Sequence, residues 1–269
     1  MSPENSQRST GKPLEARLLG VRFDLVTVED LDGIIDRAVG ESHRVVVGNF
    51  NLHGVLLHQR DPKLRSFYRL ADYVHIDGMP LVWWAKILGY PATRRHRVSY
   101  LDWLDSLMSL AAERSWKIFY LGSKPGVAAR GTAILEQRYE GVRFAHHHGY
   151  FDATAGSRDN EDILRSIKDF GPDLLMVGMG QPRQESWIVD HLEQLSTQVI
   201  LTSGACIDYV AGTISSPPRW LGKLGLEWLF RLVSEPRRLA SRYLIEPWYL
   251  LPLFYRDLRL RRSRSDPSA

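Results

Sequence analysis

The residues best suited to chemistry lie in one glycine-containing stretch, residues 177–185, which read VGMGQPRQE. A short apolar run precedes them and a segment with helical spacing follows, which predicts a strand, a glycine turn and a helix. Glycine lets the backbone approach a ligand closely, and the free N–H groups of a helix N-terminus attract anions. The stretch therefore predicts a turn at which an anionic ligand could bind. The alternative is a tight turn without a ligand.

Several other short, apolar, β-branched runs are typical of buried strands, and each ends in glycine, amide or carboxylate residues. In an open parallel sheet, ligands bind beyond the carboxyl ends of the strands. We therefore expect one rim that binds a phosphorylated, hydroxylated molecule. In chain order the rim carries Asn49 and Asn51, Asp77, Gly122, Gly149 and Tyr150, Gly178 to Gln181, and Gly204 to Asp208.

The elements that must position these residues alternate along the chain. Strands followed by helices of about a dozen residues specify βαβ units and a mostly parallel sheet. The first strand is predicted at residues 18–23, and the first helix at 28–39 with Thr27 as its N-cap. The expected fold class is α/β, a Rossmann-like sheet with helices on both faces, plus a basic amphipathic helical appendage at the C-terminus.

Composition is that of a soluble globular protein, with 269 residues, 44% of them hydrophobic and 25% charged. The single cysteine, Cys206, excludes an intramolecular disulfide and fits a reducing compartment. No run approaches the roughly 18 apolar residues that span a bilayer, and residues 1–13 lack the apolar centre of a signal peptide. These features predict a protein that stays in the cytoplasm.

The net charge of +4 is unevenly distributed. Residues 218–264 hold eleven Lys and Arg against four Asp and Glu, whereas the remaining residues hold 24 against 27. Aromatic residues at 248–255 precede the last arginines, which favours an anionic membrane surface over a nucleic acid as partner. The alternative is a C-terminal helix packed on the protein's own sheet. The resulting division is a disordered N-terminus (1–16), an α/β catalytic domain (17–216), a membrane-associating appendage (217–264) and a short tail (265–269).

One ordered set of motifs runs through residues 18–245. It comprises NFN at 49–51, AD at 71–72 with DG at 77–78, RV at 97–98, FYLG at 119–122, GYF at 149–151, GMGQPRQE at 178–185, GACID at 204–208, RWLGKLGLEWLFRL at 219–232 and EPRR at 235–238. The set resembles the WecG/TagA/CpsF family of glycosyltransferases, glycosyltransferase family 26.

The resemblance implies a bacterial enzyme of surface polysaccharide synthesis. Such an enzyme moves a sugar from a UDP-sugar to a polyprenyl-diphosphate-linked saccharide at the cytoplasmic face of the membrane. It inverts the anomeric carbon and requires neither a metal ion nor another cofactor. Donor sugars in the family are N-acetylmannosamine, its uronic acid and glucose, and no residue here selects among them. A homo-oligomer is also left open.

Three residues are the candidates for catalysis. Asp77 is the candidate general base, because an inverting displacement needs a carboxylate that takes the proton of the attacking hydroxyl. An aspartate at this place could instead cap the next helix. Asn49 and Asn51 are expected to hydrogen-bond sugar hydroxyls or the acceptor, and the alternative is an asparagine cap or turn. The family often has threonine near position 49.

The binding residues follow from the same comparison. Gln181, with the amides of Gly178 and Gly180, is expected at the donor diphosphate, and Arg97 is a second candidate because guanidinium groups make bidentate contacts with phosphate. Tyr150 is expected beside the uracil with Gly149 giving it room, Asp208 at the ribose, and Gly122 at another side of the pocket. In the appendage, Arg231 and Arg238 match diphosphate-binding arginines, and Arg242 is nearest to a third.

Three further sequence patterns do not predict a site, and two other classes of protein fit the sequence less well. Adjacent histidines at 146–148 point to alternating faces and cannot all bind one metal ion. Asp30 and Asp32 lie in a predicted helix, and Cys206 is expected in the core. A nicotinamide-dependent oxidoreductase is disfavoured because Arg183 occupies the place of the third glycine of its motif. A non-catalytic adaptor for nucleotide sugars or membranes would not need Asp77 at the rim.

Overall fold

The computed structural model describes residues 13–217, residue 221 and residues 227–265. Its strands in chain order are β1 (Leu14–Leu18), β2 (Val21–Leu25), β3 (Val45–Phe50), β4 (Tyr73–Ile76), β5 (Lys117–Gly122), β6 (Arg143–His147), β7 (Leu174–Gly178) and β8 (Val199–Thr202).

Six of these strands form one parallel sheet in the order β4-β3-β8-β7-β5-β6. Every residue of the central strands β3, β7 and β8 is buried, which is why their sequences are continuous apolar runs rather than alternating ones. Because all six strands run the same way, their carboxyl ends lie at one edge. The predicted α/β fold with a Rossmann-like parallel sheet is confirmed.

Helices cover both faces of the sheet. One buried apolar cluster includes residues of α2 (Leu52–Arg60), α3 (Pro62–Leu70), α4 (Met79–Ile87), α7 (Arg158–Phe170) and α8 (Arg183–His191). A second cluster includes residues of α1 (Val28–Gly40), α5 (Tyr100–Glu113), α6 (Val127–Arg138) and α9 (Cys206–Val210).

Side-chain caps fix where several helices begin. Thr27 forms a capping box with Asp30 at the start of α1, as its sequence predicts. Asp61 accepts hydrogen bonds from two backbone N–H groups at the start of α3, and Pro62 occupies the first turn, where no N–H is needed. The starts of α1 and α3 are therefore set by residues next to them in the sequence.

The N-terminal prediction is wrong in one respect. The apolar residues at 18–23 do not form one strand, because Leu19 and Gly20 have φ values of 53° and 84° and reverse the chain between β1 and β2. The two strands form an antiparallel hairpin that begins at Leu14, so residues 14–16 are not disordered as predicted. Residues 1–12 of the predicted disordered N-terminus lie outside the described part of the chain.

The appendage is helical, as predicted. Its described elements are α10 (Glu227–Ser234), α11 (Pro236–Ala240), a π-helical turn (Ser241–Ile245), α12 (Glu246–Tyr249) and α13 (Leu251–Ser265). Among the described helices, none combines the length and apolar character needed to cross a bilayer.

The appendage packs against the α/β domain. Leu250 is 1% exposed within the first core cluster, and the ring of Phe254 meets that of Trp84 of α4 edge to face at 4.3 Å. Asp257 is buried, and its Oδ2 accepts hydrogen bonds from the Leu19 N–H (2.6 Å) and the Trp84 indole (3.2 Å). The alternative of a C-terminal helix packed on its own domain therefore holds for this face of α13.

Candidate active site

A cavity of about 230 Å³ lies between the carboxyl edge of the sheet and the appendage. Residues that follow β3 and β4 form one wall, and α10, the π-helical turn and α12 form the other. Its polar and charged lining consists of Asn51, His53, Asp77, Arg97, Glu227, Arg231, Arg242 and Tyr243. The cavity thus joins predicted residues that are up to 180 positions apart in sequence to residues that the sequence analysis did not select.

Asp77 follows β4 and lies at the wall of this cavity. Its backbone N–H donates to the Phe50 carbonyl at 2.7 Å, which ties it to the end of β3. The N-cap of α4 is Gly78, with φ of 129° and no side-chain cap, so Asp77 does not serve as that cap. Its carboxylate accepts no hydrogen bond from the described residues. It is therefore available to accept a proton from a bound molecule.

Two arginines of the appendage share the cavity with Asp77. The Arg231 guanidinium lies over the Tyr209 ring at 5.4 Å, and its Nε is buried without a hydrogen-bond partner among the described residues. Burial lowers the pKa of Arg242, and the neighbouring Arg231 cation lowers it further, whereas Tyr243 and Asp77 act in the opposite direction. Two like charges held close together favour a site for an anion with more than one negative charge.

In the structure, the side chain of Arg97 forms ion pairs with two carboxylates. Its side chain is 5% exposed; Nη1 donates to Glu227 of α10 at 2.8 Å, and Nη2 donates to Asp102. It therefore links the β4 edge to the appendage. The predicted diphosphate contact of Arg97 would have to be made beside these two ion pairs.

The two asparagines have structural partners. Asn51 is the N-cap of α2, where its Oδ1 accepts the Gly54 N–H at 2.9 Å. The alternative of an asparagine cap therefore applies to Asn51, which also lines the cavity. Asn49 is buried; its N–H donates to Thr202 Oγ1 at 3.0 Å, and its Oδ1 accepts from the same hydroxyl at 3.2 Å. Asn49 thus joins the ends of β3 and β8.

Gln181 lies at the same edge of the sheet as Asp77. Its Nε2 donates to the Tyr68 hydroxyl at 3.2 Å, and that hydroxyl donates to the Asn49 carbonyl at 2.9 Å. Burial raises the pKa of Tyr68 well above its usual value, and the carboxylates of Glu185 and Asp77 raise it further, so the phenol keeps its proton. Asp77 and Gln181 thus lie at one edge of the sheet, with Tyr68 and Asn49 between Gln181 and the end of β3.

The side chain of Gln184 forms hydrogen bonds with the glycine turn after β7. This buried side chain accepts the Gly180 N–H at 3.2 Å and the Gly204 N–H at 3.3 Å through the same Oε1. Gly180 has a φ of 79°, and a Cβ built on it would meet nothing within 4 Å. The side of Gly180 where a Cβ would lie is therefore open, although its amide already has an internal partner.

A second polar group lies at the ends of β5, β6 and β7. Ser123 Oγ donates to Asp208 at 2.8 Å and shares a hydrogen bond with the Tyr120 hydroxyl, also at 2.8 Å, while its carbonyl accepts the Gly149 N–H. Ser123 was not selected from the sequence, although it directly follows Gly122. Tyr150, the next residue after Gly149, is 60% exposed.

Gly122 and Gly178 have a packing reason to be glycine. They are paired in register on β5 and β7, and a Cβ on Gly122 would lie 2.3 Å from the Gly178 carbonyl oxygen. A Cβ on Gly178 would lie 2.4 Å from the Tyr120 hydroxyl. These contacts bring the strand ends together whether or not a ligand is present.

The remaining predicted residues fall into two groups. The side chain of Arg238 lies outside the described part of the chain, as do Trp220, Lys223 and Leu224 of the aromatic motif. Cys206 is 3% exposed in the second core cluster, as predicted. Within the described residues, no group of three or more His, Cys, Asp or Glu side chains has the arrangement of a metal site.

The structure also shows a contact of His53 that sequence reasoning missed. His53, which lines the cavity, lies with Nδ1 2.7 Å from Glu246 Oε2 of α12, within hydrogen-bond distance. The only sequence signal was its place two residues after Asn51. This contact joins the appendage to the carboxyl edge of the sheet, in addition to the ion pair of Glu227 with Arg97.

Comparison with known proteins places this geometry in context. The family model described as "Glycosyl transferase WecG/TagA/CpsF family" matches residues 16–265. The chain is also 33% identical over 170 residues to the N-acetylglucosaminyldiphosphoundecaprenol N-acetyl-beta-D-mannosaminyltransferase of Staphylococcus aureus strain MW2. The protein of the same name from strain MRSA252 is 32% identical over 170 residues. Each alignment covers 63% of this chain and 64% of the relative.

Proposed function

The chain belongs to the WecG/TagA/CpsF family of glycosyl transferases, and on that premise we propose that it is an inverting, metal-independent transferase. It moves a sugar from a UDP-sugar to a polyprenyl-diphosphate-linked saccharide. The observation that carries the proposal is the cavity in which the unpartnered carboxylate of Asp77 faces the arginines of the appendage. Family membership also sets aside the oxidoreductase and adaptor alternatives.

The relatives narrow the substrates that we propose. Their names describe transfer of N-acetylmannosamine to N-acetylglucosaminyl-diphosphoundecaprenol. We therefore infer UDP-N-acetylmannosamine as the donor, ahead of the uronic acid and glucose donors that the family also uses. The acceptor is then an N-acetylglucosamine joined to a polyprenyl chain through a diphosphate.

The reaction is a single displacement. Asp77 takes the proton of the acceptor hydroxyl as that oxygen attacks the anomeric carbon, and the bond from this carbon to the UDP oxygen breaks on the opposite face. The carbon is inverted, the proton resides on Asp77, and UDP leaves with the bonding electrons. A carboxylate without an internal hydrogen-bond partner suits this role because nothing must be displaced before it accepts the proton.

Charge on the leaving diphosphate is stabilised by the protein's own cations. Arg231 and Arg242 lie at the cavity, and Arg238 belongs to the same segment. Guanidinium groups supply paired N–H donors that match phosphate oxygens, and fixed donors are effective where water is excluded. Gln181 and the open side of Gly180 extend this surface along the sheet edge.

The uridine end of the donor binds at the carboxyl ends of β5, β6 and β7. Asp208, held by Ser123, is suited to ribose hydroxyls, and exposed Tyr150 is suited to stacking on uracil beside Gly149 and Gly122. In the sheet order, a donor with its uridine end at β5 extends across β7, β8 and β3 towards Asp77, which follows β4.

We further propose that the protein works as a peripheral protein on the cytoplasmic face of the membrane. Leu244, Trp248, Leu251, Tyr255 and Leu258 recur at intervals of four and three residues, and each is exposed. They are divided among the π-helical turn, α12 and α13. Exposed aromatic and aliphatic side chains beside arginines suit an anionic lipid surface, which is also where a polyprenyl acceptor resides.

A donor screen tests the proposal. The full chain is incubated with N-acetylglucosamine linked through a diphosphate to a short prenyl chain, and UDP release is measured with each of the three UDP-sugars, with and without added chelator. We expect release and a disaccharide product with UDP-N-acetylmannosamine in both conditions. Absence of product with every donor would contradict the transferase proposal, and loss of product in chelator would contradict its metal independence.

A further inference from the structure

A second cavity, of about 680 Å³, lies far from Asp77 in the fold, where the N-terminal hairpin meets α13. Its walls are the β1–β2 turn, the residues that follow α4, and one face of α13. The charged lining consists of Arg17, Arg256, Arg261 and Asp257. Three guanidinium groups therefore face one carboxylate.

The one carboxylate of Asp257 offsets only one of the three positive charges of this cavity. Asp257 is 8% exposed, and its Oδ2 already accepts hydrogen bonds from the Leu19 N–H and the Trp84 indole. The Oδ1 atom lies 4.0 Å from Arg256 Nη2. The side chain of Arg17 has no ion pair among the described residues. The cavity thus keeps an excess of positive charge, which favours an anionic ligand.

Two of the arginines lie against backbone, and one of them, Arg261, is held there by a hydrogen bond. The Arg256 guanidinium lies against Gly20, where an added Cβ would come within 2.7 Å of Nη2, so a larger residue would displace it. Arg261 donates through Nη1 to the Ile87 carbonyl at the end of α4. Guanidinium groups fixed before binding lose less side-chain freedom when a ligand arrives. Such groups, with N–H donors in pairs, match the oxygens of a phosphate.

Exposed apolar side chains lie at the cavity. Leu260, which lines it, is 55% exposed, and Ile87, which precedes the lining residue Leu88, is 48% exposed. Trp83 lies one helical turn before Ile87 and is 49% exposed. A cluster of cations beside exposed apolar side chains has the composition of a surface that meets the head-group level of a membrane.

We propose that this cavity binds the phosphate of an anionic phospholipid head group, and so fixes the orientation of the protein on the membrane. This site is separate from the donor cavity. It holds a phosphate between guanidinium groups, which distinguishes it from a diffuse electrostatic attraction between the basic tail and the membrane. The proposal rests on the membrane role given above for the appendage.

Arg17 provides the most direct test, because it is exposed, lies outside the appendage and has no ion pair with any residue that the structure describes. The full chain and its variants are mixed with phosphatidylcholine vesicles with and without phosphatidylglycerol, and the bound fraction is measured by sedimentation. We expect Arg17→Gln to weaken binding to the anionic vesicles by about tenfold or more, the effect of losing a hydrogen bond to a charged group. Arg17→Lys should also weaken it several-fold, because lysine keeps the charge but not the paired donors.

Two controls separate this site from charge alone. Arg259→Lys makes the same exchange on α13 outside the cavity, and it should leave binding unchanged. Arg37→Gln removes one charge from α1, which packs on the opposite face of the sheet, and should also have no effect. If Arg17→Lys binds as tightly as wild type, or if the two lysine variants weaken binding equally, the proposal is wrong.

A soluble ligand distinguishes the two sources of phosphate. Thermal melting is followed in glycerol phosphate, with wild type and Arg17→Gln. If glycerol phosphate stabilises wild type alone and vesicle binding does not depend on Arg17, the cavity binds a free phosphate and the lipid assignment fails. The Arg17→Gln variant should retain UDP release with the short-chain acceptor. Failure of wild type in that assay would refute the transferase function without changing the vesicle result.

Discussion

At the residue scale, Asp77 is distinguished by what it does not contact. A buried or half-buried carboxylate usually accepts hydrogen bonds from backbone or side-chain donors. Asp77 accepts none from the described residues, and its helix is capped by the backbone of Gly78 instead. The fold holds it at the end of β4 through its N–H and leaves its oxygens towards the cavity residues. This is the arrangement that a general base requires.

We predict that Asp77→Asn removes most turnover and leaves the fold intact. Asparagine is nearly isosteric but accepts no proton, so kcat should fall by about a hundredfold to ten-thousandfold. The measurement is UDP release with UDP-N-acetylmannosamine and the short-chain acceptor. Asp169→Asn, an exposed change on α7, is the matched control and should behave as wild type. Near-normal turnover in Asp77→Asn would exclude this residue as the base.

Glu185 gives a prediction about pH. Burial raises its pKa from 4.5 to about 7, against weaker opposing hydrogen bonds from Gln184 and neighbours. Between these two pH values the folded state holds a proton that the unfolded state has released. The contribution of this group to stability is therefore complete below pH 4.5 and is lost as the pH rises through 7.

The variant Glu185→Gln removes this dependence. The difference in free energy of unfolding between variant and wild type should move in favour of the variant by about 3 kcal/mol from acid to neutral pH. Urea denaturation at a series of pH values measures it, and the comparison cancels the buried histidines common to both proteins. Glu193→Gln, at an exposed position after the same helix, is the control. Equal pH dependence in the two variants would contradict the prediction.

At the element scale, the appendage completes the candidate site. It supplies Arg231 and Arg242 to the cavity, and it is tied to the catalytic edge by Glu227 with Arg97 and by Glu246 with His53. Each pair joins residues more than 100 positions apart. The candidate site is thus divided between the Asp77 carboxylate on the α/β domain and cations on the appendage.

This division predicts the effect of Arg242→Gln. Loss of one cation at the diphosphate should lower kcat/KM for the UDP-sugar by about tenfold to a hundredfold, as for other hydrogen bonds to charged groups. Steady-state UDP release measures the change. Arg237→Gln removes an exposed arginine from the same appendage outside the cavity and serves as control. If both variants lose activity equally, Arg242 acts only through the overall charge of the tail.

The contact of α13 with the hairpin gives a prediction about stability. Asp257→Ala leaves the buried Leu19 N–H and Trp84 indole without their acceptor, which should lower the free energy of unfolding by about 2 kcal/mol. Chemical denaturation measures the loss. Leu260→Ala, at a site that is 55% exposed on the same helix, should change stability by only about 0.5 kcal/mol. A loss in Asp257→Ala no larger than in this control would show that the contact is not stabilising.

At the scale of the whole molecule, the parts that sequence reasoning predicted are those governed by local pattern. Apolar runs and glycine turns identified the strands of the sheet and placed Asp77, Gln181 and Asp208 at their carboxyl ends. Parallel strands force those ends onto one edge, so their convergence follows from the pattern alone.

The features that sequence reasoning did not predict depend on contacts between residues that are far apart in the sequence. Nothing near Arg97 in the chain shows that Glu227 will neutralise it, and nothing near His53 identifies Glu246. The hairpin was missed because Leu18, Leu19, Val21 and Phe23 have the apolar density of one strand. Only the positive φ values of Leu19 and Gly20 reveal the reversal.

The hydrogen bond between Leu19 and Asp257 also has a consequence for synthesis on the ribosome. The hairpin is translated before the helix that covers it, because Leu19 and Asp257 are 238 positions apart. Until that helix emerges from the ribosome, the ring of Phe254 cannot cover Trp84, and this apolar surface of the nascent chain stays exposed. The native contact between the hairpin and α13 therefore forms only after α13 has been translated.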